Sequence, residues 1–445
     1  MGVAVTVLAT ALPAVTASAS PAASSAVSRD SSVQEQVRHG GLQATHGVRA
    51  VCADAKARCL AQAVTGAPGS EKLLSTAAPI GYGATELERV YHLPQGNGAK
   101  GTIAIIDAGA YPNLESDVAA YRKQYGLPAC TSATGCFSQV DLHGGPPLKP
   151  DPSEKLGEEV VGIETALDME MASAACPDCK LVEVQVPIAD ALLDPADPNA
   201  HKATADFGTA ARTAAKRGAT AVSMSYVFPS DATNNNGPGK ALFQPGVAMV
   251  AASGDSGFNP PAQGVGAPWP QNLPWVTSAG GNSLFAPTPT QPNYTAVAWN
   301  MAGSGCDTTL NPALGQPRSV SDQCRGHRAG SDISAVADPS TGVAVYDTYA
   351  PDSGQPHNWI TVGGTSAASP LIAGMYVRGG HTAGVIGPNR LYGKPTSAFT
   401  DVTVGQNAPN GTCQQAGFAQ QVCTAGVGWD GPTGLGSPHG LSAFQ

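Results

Sequence analysis

Gly363-Gly364-Thr365-Ser366-Ala367-Ala368-Ser369-Pro370 joins an apolar run, Trp359 to Val362, to a second one, Leu371-Ile372-Ala373-Gly374-Met375. The stretch reads as strand, turn and helix. Two glycines let the backbone turn sharply, and Ser366 falls at the helix start. The first N–H groups of a helix lack internal partners and carry partial positive charge. A hydroxyl placed there suits a nucleophile whose attack develops negative charge. It also suits an ordinary serine cap, so this stretch alone leaves both readings open.

Outward from it, apolar runs alternate with helical stretches. Gly101–Gly109 reads as a buried strand ending in Asp107, followed by a helix over Leu114–Tyr125. Glu158–Ala175 is a helix, Lys180–Val186 a strand, Ala203–Arg217 a helix, and Ala219–Val227 and Gly246–Ala252 are strands. The alternation persists through Ile372 and predicts an α/β fold: a mostly parallel central sheet of about seven strands with helices on both faces. Functional groups then belong at the carboxyl ends of the strands.

Charged residues make up 13% of the chain and the net charge is −9, so neither a nucleic-acid stripe nor a polybasic membrane patch is present. Val3–Ala17 is apolar and rich in small residues, and Ala17-Ser18-Ala19 fits a signal-peptidase site. Residues 1–19 are therefore expected to be an export signal. Ten cysteines agree with export. They fall in close sequential pairs, Cys52/Cys59, Cys130/Cys136, Cys176/Cys179, Cys306/Cys324 and Cys413/Cys423, that could close as five disulfides in an oxidising compartment. Residues 20–78 show little periodicity and read as a short propeptide or N-terminal extension; the body is expected over residues 79–445. The expected location is extracellular, and the expected state a monomer with no nucleic-acid or membrane partner.

Glu164 and Asp168 lie four apart in the Glu158–Ala175 helix and so share one face, one turn apart. A catalytic carboxyl pair and a solvated acidic face, shared with Glu158, Glu159 and Glu170, both fit that spacing. Asp255 sits in a glycine-bracketed turn after a strand, Val250-Ala251-Ala252-Ser253-Gly254-Asp255-Ser256-Gly257, where a turn Asp is also common.

Together these residues resemble the sedolisin family of serine-carboxyl peptidases, which have a subtilisin-like fold. The likeness rests on Glu164-Thr165-Ala166-Leu167-Asp168, Ala252 to Gly257 and Gly364 to Pro370. Pro274 to Gly281 and Ser331 to Pro339 support it. The resemblance implies a secreted endopeptidase that hydrolyses protein or peptide substrates through an acyl-enzyme. Ser366 would be the nucleophile, Glu164 its general base and then acid, Asp168 the group that orients Glu164, and Asp255 the oxyanion donor. Carboxyl catalysis of this kind implies an acid pH optimum, because Asp255 must be protonated to donate. Two alternatives stand beside it. One is a subtilisin-type peptidase using Asp107, His143 and Ser366; the other is an inactive peptide-binding relative. Against the first, Gly-Gly-Pro-Pro follows His143 and cannot open the required helix. A lipase-type G-x-S-x-G elbow fails because Ser366 lacks the second glycine.

The resemblance also implies one structural calcium ion. Asp401 and Asp430 would give carboxylate oxygens, and Val402, Gly426 and Gly428 backbone carbonyls. Two features depart from the family pattern. A long folded propeptide is not evident in residues 20–78, so the Cys52/Cys59 segment is read either as removed or as staying attached. The substrate-side strand Ser223-Met224-Ser225-Tyr226 continues as Val227-Phe228-Pro229 where relatives carry glycine, which implies a different subsite shape near Tyr226.

Overall fold

Alternating side chains of one strand build the two faces of the central sheet. Ile103 and Ile105 join one apolar cluster, while Ala104 and Ile106 join the other. The computed structural model describes residues 1–2, 46–53, 59–94, 96, 100–191, 199, 201–258, 267–288 and 293–445. The expected export signal falls outside the described residues apart from its first two.

In chain order the strands are β1 (Gly47–Ala50), β2 (Gln62–Thr65), β3 (Thr102–Ala108), β4 (Phe137–Asp141), β5 (Lys180–Val186), β6 (Ala221–Met224), β7 (Ala248–Ala252), β8 (Thr277–Phe285), β9 (Thr295–Ala298), β10 (Gly305–Asp307), β11 (Arg328–Gly330), β12 (Ile333–Val336), β13 (Val343–Asp347) and β14 (Asn358–Gly363). The longer helices are α1 (Ala84–Val90), α2 (Leu114–Gln124), α3 (Lys155–Ala175), α4 (His201–Lys216) and α5 (Thr365–Gly379). Seven strands run parallel in the order β12-β8-β7-β6-β3-β5-β4, and β9 adds antiparallel to β8. The α/β reading of the sequence therefore holds. Helices α3 and α5 contribute to the cluster on the Ile103 face, and α4 to the one on the Ile106 face. Among the described residues no helix is long and apolar enough to cross a membrane.

One strand departs from that reading. The run ahead of Ser366 does not join the parallel sheet. As β14 it lies in a separate sheet ordered β1-β2-β14-β13, pairing antiparallel with both β13 and β2. A short apolar run carries no information about which partner it will find, so the sequence could not separate the two sheets.

Helix α3 also departs. Every residue from Gly157 to Ala175 is buried, so its carboxyls form no solvated face. Three of them tie down neighbouring main chain. Glu158 accepts from Ala110 N at 2.8 Å and Asp151 N at 3.1 Å, Glu159 from Asp352 N and Ser353 N at 2.8 and 2.7 Å, and Glu170 from Tyr346 N at 3.0 Å. The helix is covered because α5 presses against it. A Cβ on Gly374 would lie 2.6 Å from the Ala175 Cβ, so glycine sets the approach.

All five sequential cysteine pairs are closed: Cys52–Cys59, Cys130–Cys136, Cys176–Cys179, Cys306–Cys324 and Cys413–Cys423. At the far edge of the sheet Arg328 and Asp332 form a fully buried pair. Both terminal guanidinium nitrogens donate to the carboxylate at 2.7 Å, and Ser278 N and Tyr392 Oη supply further donors at 2.8 Å. Removing one partner leaves an uncompensated charge in the core. Arg328→Leu should lower the unfolding free energy by about 3–5 kcal/mol in urea titrations. A loss under about 1 kcal/mol would show the pair to be dispensable.

Buried acids make the fold sensitive to pH. Burial pushes Glu183 up to about 8 against donors from Gln139 and Gln185, and Asp347 up to about 7 against Tyr111. In the unfolded chain such groups lose their protons near about pH 4. Between there and about pH 7 the folded state holds more protons than the unfolded one, so stability falls as pH rises. The melting temperature should therefore be higher at about pH 4 than at about pH 8. A higher value at the alkaline end would contradict this.

Candidate active site

Ser366 lies in the first turn of α5 and is fully buried. The residue before that helix, Gly364, has φ +106°, a conformation that side chains rarely adopt. A Cβ there would also collide with the carbonyl oxygen of Leu60 and approach Asp255 Oδ2 to 2.7 Å. The glycine is thus required twice.

The turn after β7 is latched to this helix start. Thr365 N and Thr365 Oγ1 donate to Asp255 Oδ1 at 2.8 and 2.7 Å, and Gly254 N donates to Thr365 Oγ1 at 3.1 Å. Gln62 Nε2 reaches Asp255 Oδ2 at 3.4 Å. Burial pushes the Asp255 carboxyl up to about 7, with these donors opposing the rise.

From the other side α3 brings Glu164 and Asp168, both fully buried. Glu164 Oε2 accepts from Ala61 N at 2.6 Å, and Asp168 Oδ1 from Ser225 Oγ at 2.9 Å. Burial, then the nearby Asp107 and Asp255 carboxyls, push Glu164 well above the usual carboxylate range; the Ser366 hydroxyl and the Ala61 amide oppose this. Ser366 Oγ and Glu164 Oε1 are neighbours, yet neither has a hydrogen bond of good geometry. Asp168 is pushed well up by burial and by the Asp107 and Glu164 carboxyls.

Asp107, at the carboxyl end of β3, is the third acid of the cluster. It is fully buried, and burial pushes it up to about 7. Thr165 lies near enough to oppose that rise, but its hydroxyl donates to Val161 O at 3.1 Å, and both Asp107 oxygens lack a well-formed partner. Three carboxyls this close cannot all ionise in an apolar setting. They titrate together and hold protons between them.

The geometry corrects the Asp107/His143/Ser366 alternative. His143 is exposed in the turn after β4, its amide donates to Asp141 Oδ1 at 2.8 Å, and it takes no part in the acid cluster. Glu164, Asp168, Asp255 and Ser366 do converge. Sequence reasoning missed Ser225, Thr365 and the chain from Cys59 to Ala63. The only signal for that segment was the short apolar run Leu60, Ala61, Ala63 and Val64 after Cys59.

Near the C-terminus, Asp401, Val402, Gly426, Gly428 and Asp430 gather in one place. Gly428 N donates to Asp401 Oδ2 at 2.9 Å and Gly426 N to Asp430 Oδ2 at 3.2 Å. Thr433 supplies its amide and hydroxyl to Asp430 Oδ1 at 2.9 and 2.8 Å. Burial pushes Asp430 up to about 7, and the Asp401 carboxyl adds to the rise. Among the described residues no group of three or more His, Cys, Asp or Glu side chains is placed to hold a metal. Any ion here would need main-chain carbonyls beside the two carboxylates.

No family model matches the chain. Kumamolisin of Bacillus sp. (strain MN-32) is 28% identical over 399 residues, covering 83% of this chain and 64% of that protein. Tripeptidyl-peptidase sed1 of Aspergillus fumigatus is 29% identical over 242 residues, 44% of this chain and 34% of that protein. Sedolisin of Pseudomonas sp. (strain 101) is 27% identical over 218 residues, 43% of this chain and 33% of that protein. The matches thus span less than two thirds of these curated relatives. Among solved structures, Pseudomonas sedolisin, a serine-carboxyl proteinase complexed with pseudo-iodotyrostatin, has a TM-score of 0.58 at 21% identity, covering 82% of this chain and 96% of that one, a likeness of fold. In sequence the chain is thus similar to peptidases named kumamolisin, sedolisin and tripeptidyl-peptidase, and in fold to Pseudomonas sedolisin.

Proposed function

We propose that the protein is a secreted serine-carboxyl endopeptidase that hydrolyses protein or peptide substrates at acid pH and acts as a monomer. The observation that carries this reading is the convergence of a buried serine at a helix start with a buried carboxyl pair on one side and a third carboxyl on the other. Ser366 attacks the substrate carbonyl and Glu164 takes its proton. Asp168, held by Ser225, keeps Glu164 oriented and shares its charge. Protonated Asp255 donates to the oxyanion. Glu164 then protonates the leaving amine, and water releases the acyl group by the same route in reverse. The disulfides support an oxidising compartment.

Activity should rise with pH as the Glu164–Asp168 pair loses its first proton. It should fall as Asp255 loses its own through about 7. A denatured protein assayed across pH, with Ser366→Ala and Glu164→Gln beside the wild type, tests this. Each variant should lose activity by about 10⁴-fold or more. An optimum above about pH 8, or hydrolysis unchanged in both variants, would defeat the mechanism.

The second part of the reading is one structural calcium ion held by Asp401, Asp430 and the carbonyls of Val402, Gly426 and Gly428. The Asp430 carboxyl, pushed up by burial with the Asp401 carboxyl beside it, favours a cation, and hard oxygen donors suit calcium. The ion would fix the loop 426–430 against residues 401–402 and take no part in the chemistry. Chelation should lower the melting temperature by several degrees, and added calcium should restore it in the wild type but not in Asp430→Asn. Identical melts with and without chelator would remove the ion from the account.

A further inference from the structure

A cavity of about 430 Å³ opens where the end of α1 meets the paired strands β8 and β9 and the short strands Phe399–Thr400 and Ser437–Pro438. That volume lies in the range of small-molecule sites. Val90, Leu284, Tyr294, Ala296 and Pro438 give it an apolar lining, and Arg89, His92 and His439 stand beside them. None of the acids around Ser366 lines it. The parts are held together by main chain and one side chain: Gly440 N donates to Tyr91 O at 2.7 Å, His439 N to Ala398 O at 2.9 Å, and Asn282 Nδ2 to Ser437 Oγ at 2.8 Å. This brings the His92 and His439 rings into a stack, with centroids 4.2 Å apart and planes 14° from parallel. Helix α1 stops ahead of Leu93-Pro94, because proline disfavours helix in the residue before it. At that stop His92 has φ +51°, a left-handed conformation that glycine adopts most readily. Its imidazole is exposed, so core packing does not call for a side chain there.

We propose that this cavity binds a small organic acid, a carboxylate joined to an apolar or aromatic body, with the carboxylate held by Arg89, His92 and His439. The chain carries a net charge of −9, yet no Asp or Glu lines the cavity. On α1, Glu86 meets Arg89 at 3.8 Å in an exposed pair, which holds the guanidinium only weakly, and Glu88 is engaged by Arg378 at 3.0 Å. The facing strands bring neutral groups to the lining, among them the Tyr294 phenol and the Thr400 and Ser437 hydroxyls. A guanidinium presents a planar fork that matches a carboxylate. Imidazoles carry charge at acid pH, and two charged rings stacked this closely repel each other. A carboxylate across their edges relieves that repulsion. His439 Nδ1 faces Thr400 Oγ1 at 3.4 Å, which leaves its Nε2 for a ligand. An inorganic anion would leave the apolar lining uncovered, so the ligand must bring an apolar body as well.

Binding and protonation are then linked. A bound carboxylate stabilises the charged imidazoles, so ligand and protons raise each other's affinity. The cavity fills at acid pH and empties as the imidazoles lose their charge, while Arg89 stays charged throughout. Two sources supply this chemistry: a free organic acid, and the carboxyl end of a peptide whose last residue is apolar. They differ in the amide that a peptide end carries beside its carboxylate.

The test is calorimetric titration of the full chain with hydrocinnamate and with its neutral amide, hydrocinnamide. At about pH 5.5 the acid should bind, and the amide should bind at least about tenfold more weakly. Raising the pH to about 8 should weaken binding of the acid by at least about tenfold, and titrations near about pH 7 in buffers of different ionisation enthalpy should show net proton uptake. Arg89→Ala and His92→Gly should each weaken the acid by about tenfold. His92→Gly should keep or raise the melting temperature, because glycine takes this φ without strain, so its lost affinity does not come from a lost fold. N-acetylphenylalanine, a mimic of a peptide end, separates the sources. Tighter binding than hydrocinnamate assigns the cavity to peptide ends, and weaker binding assigns it to free organic acids. No binding of either acid at about pH 5.5, equal binding of acid and amide, or affinity unchanged by both substitutions would overturn the inference. A lower melting temperature in His92→Gly with unchanged binding in Arg89→Ala would reduce the stack to a structural feature and overturn it too.

Discussion

The structure depends on keeping acids out of water. Asp107, Glu164, Asp168 and Asp255 are all buried, with few donors among them, and burial is the first cause of the raised affinity of each for its proton. An ionised carboxylate in such a place is strongly disfavoured unless it is paired. Protons shared among the carboxyls relieve that cost. Their burial requires helix α3 to be enclosed along its length, which in turn requires α5 to approach closely at Gly374. The position of Ser366 follows from the same packing, because it begins the helix that seals the acids in.

Much of this was legible in the sequence. The strand-and-helix alternation carried the parallel sheet, and the four-residue spacing of Glu164 and Asp168 put both on one face. The glycine-bracketed turns placed Asp255 and Ser366 at element ends. What spacing could not supply was environment. Five carboxylates on α3 read equally well as a wet face, and only the neighbours that bury them decide otherwise. Asp107 was ambiguous for a related reason. It closes an apolar strand in either the serine–histidine or the serine–carboxyl arrangement, and the choice turns on whether His143 or Glu164 faces it.

The segment from Cys59 to Ala63 was illegible for a different reason. A strand that docks through main-chain hydrogen bonds needs no particular side-chain pattern. Its few apolar residues do not build the periodicity by which strands are recognised. The same holds for β14, whose residues do not announce that they pair with β13 and β2 rather than with the parallel sheet.

These two blind spots meet at one place, and the meeting explains the division of labour in the site. The antiparallel sheet positions polypeptide: β14 ends at Gly363, and the residues it pairs with are those next to Leu60 and Ala61. The parallel sheet and its helices position protons: β3 brings Asp107, α3 brings Glu164 and Asp168, and the turn after β7 brings Asp255. Gly364 and Thr365 join the two systems. The first lets the chain pass from strand to helix against the Leu60 carbonyl, and the second fastens that turn to Asp255. Ser366 is the next residue, so its buried hydroxyl stands where the main chain aligned on β14 meets the acid cluster.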